Sequence, residues 1–491
     1  MGLLSSGAVI RRGTRWLLTG NLVGRGLDFG FGVVLARLLV PADFGMLVTM
    51  HIFTGLVGFV AGGGMGQALV QAKEVERRDY DVVFTLQFLV GCLIYGAFFL
   101  IAPLFAHWFH NDLYRGLLRV SALSFLIRPV GNVGRAHLHR AMRFRAISTL
   151  RMVTTPLSGV VSITLAWRHF GTWSLIYGGL AGSLADAVLL MAASGWFPRP
   201  AFQLTTAKRL GLYGGKVAAN NFVSFVNREA QNFVLSRLGG AALLGLYNKA
   251  ASLQTLPGDV IGGSVYQTVF RALAVEQENR DRSRYLFLRT ITLVAVYTWP
   301  FFVGLAWLAD PFIVTVYGEK WRAAAAPLAI LSLGGFVATY GMQSGALVAA
   351  QDRLGRELFI QIERVVWLVA ACVFGLRWGL VGVAWATIPV RLYCSSRMYH
   401  LAASTIGATF RDLFRALAPA IWLNTLLCAL LAAAHTLLFA PWREANPALY
   451  LTGMAAVGAV GYLALFLFLP IDGLAGEVGR WRTALHVGVR S

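Results

Sequence analysis

The sequence predicts an all-α polytopic membrane protein of about 14 transmembrane helices, built as two parallel six-helix lobes followed by an accessory helix pair. Composition comes first: of 491 residues, 57% are hydrophobic and only 13% charged. Apolar runs recur along nearly the whole chain, unlike in a soluble domain. Second, a stretch repeats at an offset of 200 residues: Val34, Leu35, Arg37, Leu38, Ala42 and Gly45 match Val234, Leu235, Arg237, Leu238, Ala242 and Gly245. Without a gap, Gly62, Gly63 and Gln67 then match Gly262, Gly263 and Gln267. Third, the basic residues are parcelled out between apolar runs, with one side of the membrane favoured.

Taken in order, the spans centre near residues 26, 55, 93, 124, 160, 183, 224, 255, 297, 336, 367, 387, 427 and 458. Spans seven and eight are the least apolar and span twelve is short, so twelve or thirteen spans also fit the pattern. Arg11 and Arg12 precede an apolar run that Arg25 and Asp28 interrupt, which reads as a retained first span. With the N-terminus cytoplasmic, inner segments hold roughly three times as many Lys and Arg as outer loops, which puts both termini inside. Six spans separate the repeat copies, so the copies share one orientation and are related by an axis along the membrane normal. The expected domains are an N-lobe at 1–200, a C-lobe at 201–400, and an accessory pair with a cytoplasmic tail at 401–491. Trp196 to Leu210, with Pro198 and Pro200, reads as the cytoplasmic link between lobes. Arg135 to Arg151 interleaves five arginines with apolar residues, the pattern of a helix lying on an anionic leaflet. Glycines cluster in spans one (Gly24, Gly26, Gly30, Gly32) and two (Gly62, Gly63, Gly64, Gly66); close helix packing is the first expectation for them and bending the second.

A net charge of +21 spread between spans argues against a nucleic-acid partner and for topology and a lipid surface. Gly215-Lys216 is followed by Val217, so no phosphate-cradling P-loop is present; HExxH, GxSxG and CxxC are absent too. Cys92, Cys372, Cys394 and Cys428 lie in apolar stretches and read as small hydrophobes, and the HxH of His137 and His139 does not read as a metal site. No cofactor is expected. No extramembrane segment is long enough for a catalytic domain, so the chain does not read as an enzyme.

Charges inside spans are costly, about 2.5 to 3.5 kcal/mol each at the bilayer centre, and therefore face a cavity or a partner. Arg25, Lys216, Arg228 and Lys249 suit a cationic cavity that binds an anionic group, since Arg offers planar paired donors to phosphate oxygens. The alternative is structural: Arg25 with Asp28, and Arg228 with Asp28 or Glu229, as bridges. Asp28, Asp186 and Glu229 are candidates for coupling to H+ or Na+. Asn220, Asn227 and Gln231 share one helical face of span seven, which reads as cavity lining, with interhelical hydrogen bonding as the alternative.

Leu35-Ala-Arg-Leu-Leu-Val-Pro-Ala-Asp-Phe-Gly45 resembles the LARLLxPxDFG signature of bacterial polysaccharide-export flippases, of the multidrug/oligosaccharidyl-lipid/polysaccharide exporter superfamily. Leu244 to Pro257 (LGLYNKAASLQTLP) and Leu138 to Ser148 (LHRAMRFRAIS) are similar to that family's corresponding segments. Gly239-Gly240, where the first copy has Leu39-Val40, departs from the pattern at a helix end. The resemblance implies transfer of a polyprenyl-diphosphate-linked oligosaccharide from the inner to the outer leaflet of the bacterial inner membrane by alternating access. It also implies surface-polysaccharide biosynthesis as the setting, with membrane lipids and polysaccharide polymerase or export proteins as partners. A drug or cation antiporter of the same superfamily, a scaffold of polysaccharide assembly and a membrane enzyme are the alternative readings.

Overall fold

The structure is a computed structural model that describes residues 23–485 except 63, 263–264, 266–268, 271–272, 274–275, 277–278, 352 and 472. Every element among the described residues is helical. The chain is a multi-pass membrane protein: eight stretches are long and apolar enough to cross a bilayer, one of them (Gly355–Ile406) holding two helices. Each of the expected span centres falls inside a separate helix; those at 26, 55, 124, 224 and 255 lie in helices outside these eight stretches. Gly63, Gly263 and Gln267 of the repeat, with Arg11 and Arg12, lie outside the described residues.

Packing divides the chain into two compact units, Met1–Gly245 and Leu246–Ser491. The first contains α1 (residues 23–38), α2 (Pro41–Gly62), α3 (Met65–Gln71), α4 (Arg77–Trp108), α5 (Leu113–Ser121), α6 (Ser124–Arg140), α7 (Phe144–Trp167), α8 (Thr172–Ser194) and α9 (Leu204–Val234). The boundary falls within α10 (Gly240–Pro257). Helix α9 packs on α2 and α3, so the first repeat helix beyond residue 200 belongs to this unit. The connection is tied down on the way. Asp81 Oδ1 accepts the Trp196 indole N–H at 3.0 Å, Asp79 Oδ1 accepts the Thr206 hydroxyl at 3.1 Å, and Arg209 pairs with Asp79 Oδ2 at 3.2 Å.

The repeat motif has a geometric cause. A Cβ on Gly45 would collide with the carbonyl of Ala241, and one on Gly245 with the carbonyl of Pro41. Positions 41 and 241 are themselves repeat-related, so the contact is reciprocal, as across a two-fold axis. Beside it Phe233 rests against Phe53 at 6.0 Å and Arg237 stacks on Trp108 at 5.6 Å.

Residues 135–151 differ from the expected surface helix. They form the end of α6, a turn with Met142 at a φ of 55°, and the start of α7. Arg140 donates to the carbonyls of Leu69, Ala72 and Lys73 at the end of α3, and Arg143 to that of Ala193 at the end of α8, at 2.8 Å. Free carbonyls at helix ends need such donors, and this need overrides the leaflet-facing pattern. The glycines also divide. Gly91 and Gly159 admit the Phe125 carbonyl and the Phe31 ring as close packing requires, each about 2.5 Å from an ideal Cβ, whereas Gly26, Gly30, Gly32 and Gly62 meet nothing within 4 Å. Close packing within the described residues therefore does not explain Gly26, Gly30 and Gly32 of span one.

The second unit contains α11 (Arg280–Trp307), α12 (Ala309–Tyr317), α13 (Ala325–Ala350), α14 (Leu354–Gly375), α15 (Gly379–Ile406), α16 (Phe410–Ala434), α17 (Pro447–Phe468) and α18 (Ala475–Ala484). Helix α13 lies between α11 and α15, and small residues set the spacing: Gly335 leaves room for Phe302, and Gly341 for the Ser395 hydroxyl. Phe287, Ile291, Tyr399 and Leu423 form the buried core that joins α11, α15 and α16. The accessory pair α16 and α17 packs through Gly461 against Leu430, and α18 is anchored by Trp481, which donates to the Tyr297 hydroxyl at 2.9 Å.

Candidate functional site

Within the first unit a cavity of about 480 Å³ opens between α2, α6, α8 and α9. Its polar lining follows from helical spacing. Arg128, Asn132 and Arg135 lie at i, i+4 and i+7 of α6, and Ser183, Asp186 and Ala187 at i, i+3 and i+4 of α8, so each helix turns one polar face inward. Glycines keep the space open. A Cβ on Gly58 would approach Arg128 Nη1 at 3.1 Å, and Gly131 faces Asp186 and Ala187. Pro129 lacks an amide hydrogen and so releases the Phe125 carbonyl from the helical ladder, and Gly91 of α4 receives that carbonyl.

Arg135 Nη2 donates to Asp186 Oδ2 at 2.7 Å. Arg128 stands differently: its guanidinium lies 5.5 Å over the Phe125 ring and is exposed to the cavity, and among the described residues it is in no ion pair. The cavity thus carries Arg128, Arg135 and Asp186, an excess of one positive charge.

A second polar cleft of about 600 Å³ shares Arg135, Ser183 and Asp186 with the first. Its other walls bring Asp28 of α1 and Arg151, Thr154, Ser158 and Ser162 of α7. The Arg135–Asp186 pair is therefore a common wall between two cavities. Asp28 and Asp186, separated by 158 positions in sequence, line one cleft.

The remaining candidates scatter. Arg25 and Arg228 are exposed, no ion pair joins Arg25 to Asp28, and Arg228 pairs with no carboxylate among the described residues. Glu229 accepts from Asn232 Nδ2 at 2.8 Å. Asn227 is buried and donates to the Val223 carbonyl at 3.2 Å, while its Oδ1 has no hydrogen-bond partner among the described residues. Gln231 is half-buried on α9. The side chains of Lys216 and Asn220, also on α9, lie outside the described part. In the second unit Lys249 places its ammonium 4.8 Å over the Tyr317 ring and 5.3 Å over that of Trp321.

Sequence reasoning missed Arg128 and assigned Arg135 to a lipid-facing helix. The signal for Arg128 was there: an arginine inside the apolar run Leu123 to Val133, beside a proline, is a charge within a span. Arg135 could not be found that way, because its partner is on another helix.

Similarity to known proteins agrees with this architecture. The chain is 22% identical to the lipopolysaccharide biosynthesis protein WzxC of Escherichia coli (strain K12) over 408 residues, covering 82% of each chain. It is 25% identical to the succinoglycan biosynthesis transport protein ExoT of Rhizobium meliloti (strain 1021) over 324 residues, covering 66% of each. Among solved structures its fold is similar to lipid II flippase MurJ in an inward closed conformation, with a TM-score of 0.69 at 16% identity over 92% of this chain and 98% of that one. A helical membrane chain with paired polar cavities is thus placed by its sequence: the polysaccharide biosynthesis protein family model matches residues 34–326, more than half its length, and the chain belongs to that family.

Proposed function

We propose that this protein is a flippase that carries a polyprenyl-diphosphate-linked oligosaccharide across the bacterial inner membrane for surface-polysaccharide biosynthesis. The observation that carries the reading is Arg128: a guanidinium held inside a membrane-embedded polar cavity, beside the Arg135–Asp186 pair and without a carboxylate of its own among the described residues. A diphosphate supplies the missing negative charge, and the amide and hydroxyl groups of Asn132 and Ser183 suit sugar hydroxyls. Names of relatives point the same way, since ExoT is called a transport protein and MurJ a lipid II flippase.

Asp186 has a further role in this reading. An anion that competes for Arg135 leaves Asp186 without its partner, and the carboxylate then takes a proton or Na+, with Asp28 in the same cleft as a second acceptor. Cargo entry and ion binding are thereby linked. In this reading Arg25, Lys216, Arg228 and Lys249 stay candidate cationic contacts for the cargo, and access alternates between the two faces of the membrane, with both termini cytoplasmic. A cavity with excess positive charge disfavours the cation-antiporter alternative.

The test is to delete the gene in its host and ask, in intact spheroplasts with an impermeant sugar-modifying reagent, which leaflet holds the polyprenyl-linked oligosaccharide. Cargo shielded on the cytoplasmic side, with polymer lost, is the expected result. Normal arrival at the outer leaflet sinks the reading and leaves drug efflux or scaffolding.

A further inference from the structure

The end of the first unit away from the Met142 turn holds a third cavity, of about 660 Å³, between the end of α4, α5 and the start of α8. It shares no lining residue with the two polar cavities described above. Its polar wall comes from a helix ending. His110, with a φ of 52°, closes α4 as the left-handed residue, and the Asn111 N–H donates back to the Ala106 carbonyl at 3.1 Å. The chain reverses there and brings His110, Asn111 and Asp112 to the rim, beside Arg115 and Arg119 at i and i+4 of α5.

The aromatic wall is Trp173, in the first turn of α8. Its half-buried indole is stacked on Tyr177 at 5.6 Å, and Gly116 makes room for it, since an ideal Cβ there would be 2.7 Å from Trp173 Cη2. Packing therefore fixes the ring. The polar groups around it are partly uncommitted. Arg119 is used within the fold: its Nε donates to the Phe99 carbonyl at 3.3 Å and its guanidinium lies 4.0 Å over the Phe99 ring. Asn111 accepts the Leu113 N–H at 3.0 Å through Oδ1, which leaves its amide donors to a ligand. Asp112 and Arg115 are exposed, and among the described residues neither is in an ion pair.

A fixed indole beside a carboxylate, an amide and a guanidinium is a recognition set for sugar. A pyranose has an apolar C–H face that packs on an aromatic ring, and its hydroxyls both donate and accept, so they need acceptors and donors together. Asp112 would repel a phosphate, and an indole that only anchors the chain in the bilayer interface has no use for hydrogen-bonding groups gathered around it in a concavity. We infer that this cavity is an oligosaccharide-binding subsite, with Trp173 as the stacking platform, Asn111, Asp112 and Arg115 as partners of the hydroxyls, and Gly116 and Tyr177 as positioning residues for the indole. The inference rests on the flippase reading only for the expectation that the sugar is the cargo's glycan, held at the far face as it leaves the path.

The experiment titrates oligosaccharide freed from the host's own surface polysaccharide by partial hydrolysis into the full-length protein in lipid nanodiscs, by calorimetry. Trp173→Ala is expected to weaken binding about tenfold or more, and Trp173→Phe, which keeps a ring, to weaken it less. Asp112→Asn and Arg115→Gln, changes at exposed side chains, should each cost about fivefold. The oligosaccharide should also raise the melting temperature of the parent and leave that of Trp173→Ala where it is. No binding to the parent, or parent-like affinity in both Trp173→Ala and Arg115→Gln, overturns the inference. So does a Trp173→Ala variant that unfolds early yet binds as the parent does, which marks the indole as a bilayer anchor. Should Trp173→Ala fail to fold, Asp112→Asn and Arg115→Gln decide alone, and unchanged affinity in both overturns the site. None of these results bears on the leaflet assay, so the flippase reading would stand or fall separately.

Discussion

Arg128 and Arg135 are seven residues apart on one helix face, yet they ask for opposite treatment, and mutants should separate them. Among the described residues Arg128 has no carboxylate partner, so Arg128→Gln removes an uncompensated charge: export should be lost while the melting temperature holds or rises. Polymer secretion and thermal unfolding of the purified variant check both halves, and a variant that exports normally would remove Arg128 from the path. Arg135 and Asp186 are partners with partly exposed side chains, 43% and 27%, so their mutual stabilisation is only about 1 kcal/mol. Arg135→Gln or Asp186→Asn alone should cost about that much stability, and the double variant less than the two costs added. Transport should nevertheless fail in the double variant, because the exchangeable ion pair is gone. A double variant that exports would show the pair to be structural.

At the scale of elements, the repeat turns out to encode an approach of two helix starts. Gly45 and Gly245 each meet a backbone carbonyl that cannot move aside, so Gly45→Ala and Gly245→Ala should both lower the yield of folded protein severely. Gly30→Ala, where an added Cβ meets nothing within 4 Å, should be tolerated, and expression with fluorescence-detected size exclusion compares the three. That contrast also measures what could be read from sequence. The span centres near 93, 160, 183, 297, 336, 367, 387, 427 and 458 are legible, because about 20 apolar residues are needed wherever a helix crosses, whereas those near 26, 55, 124, 224 and 255 lie in helices outside the eight long apolar stretches. Gly45 and Gly245 stood out as repeat coincidences, though sequence identity alone does not say that they face one another. The segment from Arg135 to Arg151 misled, because a basic amphipathic pattern looks the same whether its arginines meet lipid phosphates or the carbonyls at the ends of α3 and α8. Asp186 was found as a charge within a span. Its partner was not, since pairing across 51 positions is a property of packing.

For the whole molecule, charge and hydropathy combine into a statement about orientation. Segments on one side of the expected spans hold the excess of Lys and Arg, and the link from Trp196 to Arg209 is fastened to the first turns of α4 by Asp79 and Asp81. If that end is cytoplasmic, so is the turn at Met142, where Arg140 and Arg143 close the ends of α3 and α8. The opposite end then carries the turns at His110 and His169 and the aromatic cluster of Phe53, Trp108 and Phe233. Single cysteines tell the two ends apart. In a background with Cys92, Cys372, Cys394 and Cys428 replaced, cysteines at Asn111 and His169 should react with an impermeant maleimide in intact spheroplasts. Cysteines at Met142 and Arg199 should react only after the membrane is opened. The reverse pattern would invert the topology and, with it, the direction in which a cationic cavity could receive a diphosphate made in the cytoplasm. Labelling at all four positions without opening the membrane would mean that the described ends do not lie on opposite faces, and alternating access between them would lose its basis.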